Sequence, residues 1–98
     1  MTYEAKIYDI IGEWGVSARD FTDAIPADAT EITVRINSLG GSVADGLAMY
    51  NYLRDHPARV TTIVDVYAAS AASLILQAGD VRQVHAGSIV MVGGIHGG

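Results

Sequence analysis

The sequence predicts an α/β fold on a parallel sheet, because strand-like and helix-like periods alternate along the chain. Residues 31–37 alternate with period two and place Ile32, Val34 and Ile36 on one face. Residues 42–55 then carry Val43, Leu47, Tyr50 and Leu53 at helical spacing, and residues 60–66 are again β-branched and mostly apolar. Strands alternating with helices imply layered helices joined by right-handed crossovers.

Residues 6–11 are apolar enough for a first strand, followed by a turn at Gly12-Glu13-Trp14-Gly15. Ser17 with Asp20 three residues later resembles a capping box and opens a short helix through Ala24, which Pro26 ends. The 31–37 strand runs into the paired-glycine turn Ser38-Leu39-Gly40-Gly41-Ser42, and the helix after it stops before Pro57. The 60–66 strand is expected to be buried on both faces. A helix over residues 69–78 is apolar nearly all round and therefore central, with Gly79 as its stop. Residues 81–85 and 89–92 read as two more short strands, before the glycine-rich end Gly93-Gly94-Ile95-His96-Gly97-Gly98.

Bulk properties narrow the function. At 98 residues the chain is at most one domain, and it buries only about 60–65% of the surface its unfolded form exposes. Half the residues are hydrophobic and 17% are charged, so apolar surface is left over for a partner and self-association is expected. The net charge of −5, with six scattered basic residues, offers no stripe for phosphates and argues against nucleic acid. There is no cysteine, which excludes disulfides and thiolate chemistry. No signal-like start and no apolar run of about 18 residues is present, so the expectation is a soluble cytoplasmic protein away from membranes. Neither a P-loop, a dinucleotide fingerprint nor a metal cluster is found, and no cofactor is expected.

The chemistry centres on Ser70, in Ala68-Ala69-Ser70-Ala71-Ala72-Ser73, where small side chains let a helix start come close to whatever the hydroxyl meets. A serine hydroxyl needs a base to take its proton and preorganised N–H donors for the oxyanion. The glycine turn at Gly40-Gly41 supplies such backbone groups, and the pairing suggests acyl transfer. A string of alanines and serines taken alone is equally a set of small residues packing a helix against its neighbour.

Four segments in order decide between these. Residues 37–43 (Asn-Ser-Leu-Gly-Gly-Ser-Val), 45–53 (Asp-Gly-Leu-Ala-Met-Tyr-Asn-Tyr-Leu), 68–75 (Ala-Ala-Ser-Ala-Ala-Ser-Leu-Ile) and Ala78-Gly79-Asp80 resemble the Clp protease proteolytic subunit family, and most of all its head maturation proteases of tailed phages. The resemblance implies part of the spiral of ββα units shared with crotonases, and a Ser-His-Asp endopeptidase assembled in homo-oligomeric rings. Protein or peptide would be the substrate, with an ATPase chaperone or phage capsid proteins as partners. By position Ser70 matches the nucleophile, and the N–H groups of Gly41 and Ala71 match the oxyanion hole.

Two departures accompany the match. Leu39 stands where the family has proline before its glycine pair. The base is displaced: read without gaps, the family's histidine falls on Gly93, whereas Ile95-His96 matches its Ile-His pair once a three-residue insertion, Val92-Gly93-Gly94, is allowed. Both alignments stand open. His56 is read as a helix C-terminal residue and His85 as a surface residue ending a strand. None of the eight aspartates matches the triad carboxylate, which in the family lies further downstream. Residues 1–98 therefore read as the N-terminal part of one protease domain, expected to have little peptidase activity by itself. The alternative is a catalytically inactive ring or scaffold subunit. A crotonase-like acyl-CoA enzyme would not need the serine, and a Ser-Lys dyad is disfavoured because Lys6, the one lysine, lies in the first strand.

Overall fold

Five strands and three helices make up residues 1–92, the part of the chain that the computed structural model describes. They follow as β1 (Thr2–Ile7), α1 (Ala18–Ala24), β2 (Glu31–Ser38), α2 (Val43–Asp55), β3 (Arg59–Ala69), α3 (Ala71–Leu76), β4 (Val81–Val84) and β5 (Ile89–Met91). All strand pairs are parallel, in the order β1-β2-β3-β4, with β5 joined to the far end of β3.

The α/β expectation holds, the Ser17 cap read from sequence forms, and Ser42 caps the second helix in the same way. Ser17 accepts from the Asp20 N–H at 3.1 Å, and Ser42 accepts from the Asp45 N–H at the same distance. Asp45 also accepts from the Ala18 N–H at 3.0 Å, tying the start of α1 to the start of α2. Ile32, Val34 and Ile36 lie on the buried face of β2, as their alternation requires.

Four expectations are corrected. The first strand is Thr2–Ile7 rather than 6–11, because Ala5 and Ile7 pair beside Val34 and Ile36 in the core. The chain then leaves the sheet, so that Ile11 can bridge the glycine turn. The core face of α2 is Gly46, Met49 and Leu53, while Val43 and Leu47 are exposed, since α3 covers a different arc from the one the larger apolar residues mark. β3 is not buried on both faces: Val60, Thr62 and Val64 are buried, while Thr61, Ile63 and Asp65 are only partly covered. Finally, α3 starts at Ala71 and not at 69, because Ala69 is still paired, with Met91 of β5.

A register shift in β3 makes the last correction possible. Ile36 pairs with Val64 and Ser38 with Ala68, so β3 carries two extra residues between these pairs. Before the shift β3 pairs with β4, and after it with β5. Gly79 owes its place to close packing rather than to a left-handed cap, since a Cβ there would lie 2.4 Å from Thr62 Oγ1.

Candidate active site

The carboxyl ends of β2 and β3 converge where a parallel sheet ordinarily binds its ligands. β2 delivers the glycine turn and β3 delivers Ser70. Two cavities lie near the strand ends. One of about 370 Å³, lined by Arg54, His56, Arg59 and Asp80, is at the amino end of β3, eleven strand residues from Ser70. The other, of about 350 Å³, is lined by Tyr8, Ile10, Asn37, Ser38 and Leu39 and adjoins the glycine turn.

Ser70 links β3 directly to α3 with φ 54° and ψ −120°. Among the described residues it is the one non-glycine residue with positive φ. Such backbone costs about 1–3 kcal/mol and persists only where its surroundings over-determine it. Here the Ser70 N–H donates to the Met91 carbonyl at 2.7 Å, and the Ser70 carbonyl accepts from the Ser73 N–H at 2.9 Å and from Ser73 Oγ at 2.5 Å. A strained strand-to-helix turn of this kind holds a serine hydroxyl clear of the chain in α/β hydrolases. The Ser70 side chain is half-buried and makes no capping bond to its own helix.

The glycine turn lies directly against this serine. A Cβ on Gly40 would stand 2.9 Å from Ser70 Cβ, 3.2 Å from the Ala71 nitrogen and 2.6 Å from the Ala69 carbonyl oxygen, so only glycine fits. Gly46 plays the same part from α2, its missing side chain leaving room for Ala71 Cβ, 3.0 Å from where its own Cβ would be. The two sequence motifs, thirty residues apart, thus meet.

Two backbone donors are left over. Ile11 donates to the Gly40 carbonyl at 2.9 Å and accepts from the Ser42 N–H at 2.8 Å, which grips the chain on either side of Gly41. In a parallel bridge of this form the bracketed residue turns its own N–H away from its partner. Among the described residues the Gly41 N–H has no acceptor, and neither does the Ala71 N–H in the unsatisfied first turn of α3.

The histidines divide. His56 caps α2 and is structural: its Nδ1 accepts from the Ala58 N–H at 3.0 Å, which leaves Nε2 to donate to the Pro26 carbonyl at 3.1 Å. His85 is largely exposed but not idle, with Nε2 3.3 Å from Asp65 Oδ1. His96 and Gly93 lie outside the described residues.

Asp65 joins a group that no single stretch of sequence signals. Arg35 donates to it from Nη2 at 2.7 Å and from Nε at 3.1 Å, and the Tyr8 hydroxyl donates to the same carboxylate. Bonds from Arg35 first and Tyr8 second hold the Asp65 carboxyl below the usual carboxylate range, while the hydrogen bond that the Tyr8 hydroxyl donates to Asp65 pushes that hydroxyl up. The readable trace was one charge on the non-core face of each of two neighbouring strands; their pairing needed the register. No metal-binding group of acidic or histidine side chains occurs among the described residues, and no described helix is long and apolar enough to cross a membrane.

Comparison with known proteins places this geometry. The Clp protease family profile matches residues 23–96, about three quarters of the chain. An ATP-dependent Clp protease proteolytic subunit of Pleurastrum terricola is 44% identical over 54 residues, and proteolytic subunit 1 of Streptomyces avermitilis is 44% identical over 50. Those segments cover 55% and 51% of this chain, but only 28% and 23% of the relatives. The structure of ClpP1 from Listeria monocytogenes superposes with a TM-score of 0.78 at 23% identity, over 91% of this chain and 55% of that one. The chain therefore spans about half the length of the structure it matches.

Proposed function

The chain belongs to the Clp protease family, and from that membership we propose that Ser70 is the nucleophile of a serine endopeptidase whose oxyanion donors are the N–H groups of Gly41 and Ala71. The observation that carries the proposal is the strained Ser70 turn seated against Gly40, with two N–H groups beside it that find no acceptor among the described residues. Ser70 Oγ attacks the peptide carbonyl carbon, a base takes the hydroxyl proton, and the N–H pair receives the charge that develops on oxygen. The carbon–nitrogen bond then breaks, the amine leaves with the proton, and water hydrolyses the resulting ester.

His96 is the proposed base, by the alignment that allows the insertion, and residues 1–98 are proposed as the N-terminal part of the protease domain. A cytoplasmic setting, an ATPase partner and phage head maturation belong to the same proposal through the family resemblance. The ungapped alignment, which puts Gly93 at the histidine position, favours the second reading of an inactive ring subunit.

A fluorophosphonate probe separates the two. On the peptidase reading the whole protease domain, of which residues 1–98 are the proposed N-terminal part, labels at Ser70, Ser70→Ala does not label, and His96→Ala labels about 10²-fold or more slowly, as loss of a general base requires. A folded whole domain that never labels supports the inactive subunit, and unchanged labelling of His96→Ala removes that residue as the base.

Assembly in a homo-oligomeric ring is supported by the apolar surface that β3 and β5 leave uncovered: Val66, Tyr67, Ile89, Val90 and Met91 are all exposed. Sedimentation velocity at micromolar concentration is expected to show a species several times the 10.3 kDa monomer. A single monomer peak would overturn this part.

A further inference from the structure

We propose that Asp65 and His85 form a clasp across β3 that positions β5 and, through the Met91 carbonyl, the backbone of Ser70. The catalytic meaning of the clasp rests on the reading of Ser70 given above; the clasp itself does not.

β5 needs such a device. It has three residues, all exposed, and it pairs with β3 only beyond the register shift. Nevertheless its Met91 carbonyl accepts the Ser70 N–H, one of the few bonds that hold the strained turn. The turn that leads into β5 runs from His85 to Ser88, closed by the Ser88 N–H on the His85 carbonyl at 3.0 Å, with Gly87 at φ 86°.

That turn is fastened to β3 at the register shift and by both of its ends. The His85 N–H donates to the Val64 carbonyl at 3.2 Å, and Nε2 lies 3.3 Å from Asp65 Oδ1. Ser88 Oγ donates to the Asp65 carbonyl at 3.1 Å. Arg35 from β2 and Tyr8 from beyond β1 hold the Asp65 carboxylate in place from the other side. A single carboxylate on β3 thus connects Arg35 of β2 and Tyr8 to the turn that sets β5.

The effect is local. Asp65 is mostly buried, but the His85 side chain is 58% exposed, and a pair of that kind adds little to global stability. Loosening it should open β5 and the Ser70 turn while leaving β1 and β2 closed, because protection from exchange is lost in local cooperative units.

Amide hydrogen exchange followed residue by residue on the whole chain tests this. In His85→Ala, and in Asp65→Ala if it folds, protection of the Ser70 amide is expected to fall about two- to fivefold, the worth of one half-exposed polar pair, with β2 amides unchanged. His85→Gln retains a donor near the Nε2 position and is expected to restore most of the protection. Equal loss in β2 and at Ser70, or no loss at Ser70 in His85→Ala, would overturn the clasp. If the exchange pattern appears but the whole wild-type domain never takes a fluorophosphonate, the clasp stands and the peptidase reading fails.

Discussion

Ser70→Gly is expected to yield a protein that is more stable than the original and chemically inert. Glycine adopts φ 54° without the steric cost that serine bears, which removes about 1–3 kcal/mol of strain. Its greater freedom in the unfolded chain returns about 0.5–1 kcal/mol of that, so the net gain is on the order of 1–2 kcal/mol. Ser70→Ala keeps the strain and loses the hydroxyl, so its stability should stay close to that of the original. On the peptidase reading both variants lose nucleophilic chemistry by about 10⁴-fold or more, as for other groups that act as a unit. Urea unfolding of the three proteins checks the strain, and fluorophosphonate labelling checks the chemistry. A Ser70→Gly protein less stable than Ser70→Ala would contradict the account of the turn as strained.

Gly40→Ala should be severely destabilised, by about 2–4 kcal/mol, through backbone strain and a steric clash together. The new methyl would meet the Ala69 carbonyl oxygen at 2.6 Å and Ser70 Cβ at 2.9 Å, at a φ of +102° that alanine rarely adopts. Neither neighbour is the end of a flexible side chain. Both belong to the turn that holds Ser70. For a domain near 100 residues each kcal/mol lowers the melting temperature by about 4–8 °C, so a drop of about 10–30 °C is expected in a thermal scan. The same change at Gly87, where nothing lies within 4 Å of the added methyl, meets only the φ of 86° and should cost less. Equal loss at both positions would mean that close contact with Ser70 is not what requires glycine at Gly40.

Sequence periodicity and cap chemistry sufficed wherever the controlling interactions were local. Ser17 caps a helix through a residue three positions away, and the alternation over Ile32, Val34 and Ile36 is a property of one strand. The candidate site was also legible, because Gly40-Gly41 and Ala69-Ser70-Ala71 are short motifs whose small residues announce a close approach. In the structure the two motifs lie together, Gly40 against Ser70, and Gly46 of α2 packs against Ala71.

Pairing between distant strands determined the rest. The burial of Ala5 and Ile7 beside β2 moved the first strand towards the N-terminus, and the Ala69 pairing with Met91 delayed the start of α3 by two residues. The buried arc of α2 followed Gly46, which lets α3 approach, and not the larger Val43 and Leu47. Asp65, Arg35, Tyr8 and His85 come from separate segments, and only the parallel register with its shift after Val64 brings them to one point. What the sequence determined by itself was the order of elements, the Ser17 cap and the two small-residue motifs, since those depend on neighbours a few residues apart. The strained φ of Ser70, the N–H groups of Gly41 and Ala71 without an acceptor among the described residues, and the contacts of Asp65 were decided by tertiary structure alone, because each depends on which strand end is brought against which.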